Sequence, residues 1–135
     1  MKPELFQLLI DIRPQIPGVT DKTYDPSETI QAFQNKVIRP ILKLNHDKIL
    51  LIEDHLIRPK LKSKTSPDQL QNLYASILSK ETALRYTLIG IVQGFLSEEE
   101  FIIYMTHKSE LDRRIITMII QRIRSHYEPT PIPEY

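Results

Sequence analysis

Two histidines and three carboxylates lie close together in the middle of the chain, as His46-Asp47 and then Glu53-Asp54-His55. Imidazole and carboxylate are the side chains that hold a divalent metal ion. On a helix, Asp47, Asp54 and His55 fall near one face. His46, Asp47, Asp54 and His55 are therefore a candidate metal set, and with it comes the reading of an unrecognised enzyme or metal protein. The alternative is a solvated helix face carrying ordinary charges. A His-Asp phosphohydrolase needs a further histidine upstream, and none precedes His46. A di-iron carboxylate bundle needs Glu-x-x-His on two helices. No glutamate here has a histidine three residues later.

The second candidate is electrostatic. Residues 36–64 carry 8 basic and 3 acidic groups, a local charge of +5 in a chain whose net charge is +1. Lys36, Arg39 and Lys43 stand at i, i+3 and i+7, so a regular helix lines them up. Arg58 and Lys60 follow. Such a stripe suits phosphate contact, and with it salt-sensitive nucleic-acid binding that ignores sequence.

Other chemistries have no residues to carry them. There is no cysteine, which removes disulfides, thiolate nucleophiles and cysteine metal sites. The three glycines cannot build a phosphate-cradling loop, and no Gly-x-Ser-x-Gly elbow is present. No cofactor is expected. The apolar run from Leu88 to Leu96 is too short to cross a bilayer, and the N-terminal stretch has no small-residue cleavage site. A cytoplasmic location is expected.

The elements that must position these residues are helices. Low glycine with abundant Leu, Ile, Lys, Glu and Gln favours them. Proline marks where they stop or bend, and Ile-Arg-Pro occurs at 12–14, 38–40 and 57–59. Leu5, Leu8, Leu9 and Ile12 form a stripe that Pro14 ends. Asp25-Pro26-Ser27-Glu28 predicts a helix start with Asp25 as cap. The stripe Ile30, Phe33, Val37, Ile41 and Leu44 passes through Pro40, which predicts one kinked helix, with a break near Asn45 as the alternative. Residues 59–66 read as a basic linker. Ser66-Pro67-Asp68-Gln69 opens the next helix, and another begins near Ser79 or Lys80. Gly94 is expected as a left-handed cap, and Gly90 as a place for close helix crossing. Ser97 and Ser109 each open a further helix. The run Ile115–Ile120 is β-branched, yet its flanking cap and periodicity predict helix. Residues 129–135 read as a proline-rich tail.

Three segments, IRPQIPGV at 12–19, FQNKVIRPILKLNHDKI at 33–49 and LIGIVQGFLSEEEFIIYMTHKSELDRRIITMIIQRI at 88–123, together resemble a family of short all-helical bacterial proteins of unassigned function. Some of its members carry the label glyoxalase. The resemblance implies an all-helical fold and brings no catalytic residue with it. The label does not suit these residues. Metal-dependent glyoxalases place His and Glu ligands on strands of a βαβββ fold, and the metallo-β-lactamase type needs a His-x-His-x-Asp-His run. This chain offers neither.

The expectation is an all-α single domain over 1–128, a mostly antiparallel bundle of about six helices with one proline-kinked long helix. With no catalytic motif, the first functional reading is a self-associating protein-interaction module that works through surplus apolar positions on the 80–96 and 110–126 helices. Nucleic-acid binding and a metal site stand as alternatives.

Overall fold

The structure, a computed structural model, describes residues 1–61 and 67–127. The expected tail at 129–135 and most of the expected basic linker lie outside the described residues. Among those described there are seven helices and no strand. We label them α1 (Pro3–Asp11), α2 (residues 30–44), α3 (residues 46–57), α4 (Pro67–Lys80), α5 (Thr82–Gly94), α6 (Glu98–Thr106) and α7 (Lys108–Tyr127).

The second and third Ile-Arg-Pro repeats share one local solution. Each proline lacks an N–H and crowds the carbonyl four residues back. In α2 a π-turn, Gln34–Ile38, immediately precedes Arg39-Pro40. In α3 a second π-turn, Glu53–Ile57, precedes Arg58-Pro59, and a 3₁₀ turn, Arg58–Lys60, ends the element. Widening the helix by one residue makes room for the ring, so the chain passes through Pro40 without stopping. Between α2 and α3 only Asn45 departs from helical geometry, and its buried Nδ2 donates to the Ile41 carbonyl at 2.9 Å. The helix thus runs through Pro40 as expected, but the stripe is divided by the break at Asn45 that stood as the alternative.

Several boundaries move. Asp25 does not cap α2. It accepts from the backbone and hydroxyl of Ser27, both at 2.8 Å, and forms a turn that ends the preceding loop. Thr29 is the cap, taking the Ala32 N–H at 3.2 Å. Gly94 is not left-handed: among the described residues the only positive φ belongs to Gly18, at 77°. Phe95 ends α5 with φ −106° instead. Gly90 does not mark a close crossing, since a Cβ there would meet nothing within 4 Å. The helix expected to open at Ser109 begins at Lys108, after a break at His107. Ser97 opens α6 as expected, and with Glu100 it forms a reciprocal capping box.

The core sits around α7. Leu111, Ile115, Ile119 and Ile123 repeat every four residues and are fully buried, with Ile116 and Ile120 beside them. Helices α4 and α5 both pack on this stripe, and α2, α3 and α6 also touch α7. Tertiary packing decides the conformation of this β-branched run, because each buried Ile contributes about 1.5–3 kcal/mol while its helix propensity costs only a few tenths. Opposite α7, Phe33, Val37, Ile38, Ile41 and Leu42 of α2 are also buried.

Candidate functional site

The structure splits both candidate sets. Lys36 does not share a stripe with Arg39 and Lys43. It pairs with Glu28 at 2.7 Å and lines a groove with Val37 and Pro40. The π-turn that contains Lys36 underwinds the helix and rotates it off that line. Arg58 turns inward, 2.9 Å from the fully buried Glu53 and stacked over Tyr127 with 4.2 Å to the ring centre. Lys60 pairs with Glu81 at 3.0 Å. Three of the five proposed phosphate contacts thus already hold carboxylates.

Arg39 and Lys43 remain, and α7 brings them company. Arg39, His46, Arg122 and His126 line one cleft of about 480 Å³, floored by Leu42 and Met118, with Gln121 and Ser125 as neutral polar groups. A second cleft adjoins it, in which Lys43 and Asp47 meet the same Arg122 and His46. Arg122 Nη1 lies 3.3 Å from His46 Nδ1. The His46 and His126 rings meet edge to face at 5.9 Å. Burial, then the Arg122 charge, hold His46 below the ordinary histidine value. Arg122 is lowered too, by burial and by Arg39. A neutral His46 accepting at Nδ1 from Arg122 is the state that fits both groups. Arg122 and His126 could not be picked out from the sequence: they stand on the last helix, and nothing in their own spacing points to Arg39.

The metal set does not converge. His46 and Asp47 begin α3, whereas Asp54 and His55 are exposed in the π-turn that ends it. Among the described residues no three His, Asp or Glu side chains come together in a way that could hold an ion.

No protein-family model matches the chain, and neither the curated proteins nor the solved structures provide a match.

A second surface stands out by its apolar character. Helix α1 buries none of its side chains. Leu5, Leu8 and Ile12 are exposed along it, Leu8 at 56%. The end of α1 is tied to α6 by Arg13, and its start by the Met1 ammonium, 2.8 Å from Glu98. Helix α6 exposes Phe101, Ile102 and Met105, Ile102 at 66%. The apolar positions of 80–96 and 110–126, expected to be in surplus, are instead spent on the core: Leu84, Leu88, Ile89 and Val92 of α5 are buried with the isoleucines of α7. No helix is long and apolar enough to cross a membrane, among the described residues.

Proposed function

We propose that the chain works by protein contact through the adjoining faces of α1 and α6, with a second copy of itself as the partner. The observation that carries this reading is α1. Nine residues are too few for a helix to stand alone in water, and α1 has no fully buried side chain, only Leu9 and Ile10 being half-buried. Its stripe of Leu5, Leu8 and Ile12 is thus available to a partner, as are the exposed Ile102 and Met105 of α6.

Size sets the strength of the contact. Two nine-residue helices, each about 14 Å long and about 10 Å wide, present roughly 280 Å² of face. A stable interface needs about 800 Å² per partner. The contact is therefore weak and reversible, in the manner of transient assemblies.

Sedimentation velocity across concentrations from roughly 10 µM to 1 mM tests this. The average sedimentation coefficient rises with concentration for the native chain. It stays at the monomer value for the double variant Leu8→Glu and Ile102→Glu, whose helical circular dichroism is unchanged. A native chain that remains a monomer over the whole range overturns the reading.

A further inference from the structure

We infer that the cleft between α7 and the α2–α3 junction binds a compact phosphate-bearing anion, a phosphomonoester or free phosphate. The inference is independent of the protein contact proposed above.

It starts from where the cations find their partners. Arg13, Lys36, Arg58, Lys60, Lys108, Arg113 and Arg114 each lie within 4.0 Å of a carboxylate. Lys2, Lys22, Lys48, Lys80 and Arg85 lie within that distance of no carboxylate among the described residues, and neither do Arg39, Lys43 and Arg122, but only these last three line the same pair of adjoining clefts. Among the described residues the larger cleft carries no carboxylate on its lining, and Asp47 alone enters the smaller one.

Arg122 sharpens the point. Its Nε is buried without a hydrogen-bond partner among the described residues. Its Nη1 meets only an imidazole nitrogen, at 3.3 Å. A guanidinium cannot escape the cost of burial by losing its proton at physiological pH. A second guanidinium, Arg39, adds its field to the same spot. An anion seated between them would supply the missing acceptor and neutralise both.

Charge and size define the ligand class. Two guanidiniums and one ammonium match a dianion better than a single carboxylate. Gln121 and Ser125 offer neutral donors, and the apolar floor of Leu42 and Met118 leaves room for a small organic group. The volume of about 480 Å³ falls in the range of small-molecule sites. Nucleic acid fits less well. It needs cations laid out along a track of phosphates, and the residues that would extend this cluster into one, Lys36, Arg58 and Lys60, are held by Glu28, Glu53 and Glu81.

The test is an NMR titration of the full chain with inorganic phosphate, with a nucleoside 5′-monophosphate and with a single-stranded oligonucleotide. Saturable shifts are expected at the His46 and His126 rings and at the Gln121 side-chain amide. Binding of both small anions should weaken roughly tenfold in Arg39→Gln, an exposed position whose loss leaves the fold intact. Lys2→Gln, far along the chain, should bind as the native protein does. Tighter binding of the monophosphate than of phosphate assigns the organic group to the Leu42–Met118 floor, and equal binding assigns free phosphate. The absence of saturation by about 10 mM of either small anion overturns the inference. So does binding that Arg39→Gln leaves unchanged. An oligonucleotide that binds more tightly than the monophosphate, with a steep salt dependence, overturns it in favour of a nucleic-acid surface.

Discussion

Arg13 forks onto Glu100, its two terminal nitrogens 2.7 and 2.6 Å from the two carboxylate oxygens, and joins the first helix to one 87 residues later. The same guanidinium donates to the Phe95 carbonyl at 2.8 Å. Glu100 in turn accepts the Ser97 N–H at 2.9 Å. One bidentate pair thus completes a helix cap, satisfies a chain end after α5 and pins the α1 terminus. Both side chains are nearly buried, at 7% and 12% exposure, so neither can fall back on water when the other is removed. Arg13→Ala and Glu100→Ala should each lower unfolding stability by about 2–4 kcal/mol. In a urea-melt double-mutant cycle the pair should show coupling of about 1–3 kcal/mol. Additive losses would mean that the fork carries no energy of its own.

The fully buried Glu53 makes the matching test on the other side of the core. It accepts from the Tyr74 hydroxyl at 2.6 Å and lies 2.9 Å from Arg58, so the π-turn of α3 is bound to α4. Its second oxygen has no hydrogen-bond partner among the described residues. Truncation to Ala strands the Arg58 charge and the Tyr74 hydroxyl, and should cost about 3–5 kcal/mol. Tyr74→Phe removes one bond and should cost about 1–2 kcal/mol. Denaturant midpoints of the two variants, read at constant m, decide the order.

Two tyrosines should resist alkali. Burial, then the bond to Glu53, push the Tyr74 hydroxyl well above the ordinary value. Burial, then the bond to Asp112, push Tyr104 up to about 12. In both cases the ionised form is the one disfavoured in the fold. The unfolded chain therefore loses protons first, and stability falls as pH rises through 10 toward 12. Tyrosinate absorbance should show Tyr74 and Tyr104 ionising late. Tyr104→Phe should remove one late-titrating ring.

His46 makes the opposite prediction at the acid end. Burial first, then the charges of Arg122 and His126, with Asp47 opposing, disfavour the imidazolium. The unfolded histidine takes up its proton near pH 6.5, before the folded one does. Stability is accordingly complete above that pH and declines as pH falls through it toward the lower folded value. His46→Asn should flatten this part of the stability curve. If the slope is unchanged in the variant, His46 is not the group responsible.

What was legible follows from how local each feature is. The helix start at Ser97 and the prolines of the Ile-Arg-Pro repeats act within one helical turn, and the sequence shows them. Asp25 misleads because its carboxylate prefers the nearby Ser27 donors to a helix end, a competition between two local bonds that spacing does not rank. Lys36 misleads because a π-turn breaks the 3.6-residue register on which its alignment with Arg39 rests. The cleft was half visible: Arg39, Lys43 and His46 sit in one segment, but Arg122 lies 76 residues beyond His46 and reaches it only through the packing of α7 on α2 and α3. Ion pairing hides the rest. Arg58 and Lys60 look like free charges in sequence and become partners of Glu53 and Glu81 only in the fold.

The glycines separate conformational need from mere smallness. Gly18 has φ 77°, where a side chain is strained even in open space, and nothing lies within 4 Å of a Cβ built there. Gly18→Ala should therefore destabilise by about 1–2 kcal/mol through the backbone alone. Gly90 sits inside α5 with helical φ and equally open surroundings. There a methyl group adds no clash and restricts the unfolded chain, so Gly90→Ala should stabilise by about 0.5–1 kcal/mol. The two substitutions add the same atoms at positions of equal room and should move the melting temperature in opposite directions. A loss of stability in Gly90→Ala would mean that a helix does approach this face closely, as Gly-x-x-x-Gly spacing suggests. A neutral Gly18→Ala would mean that the 13–29 loop relaxes to a negative φ at little cost.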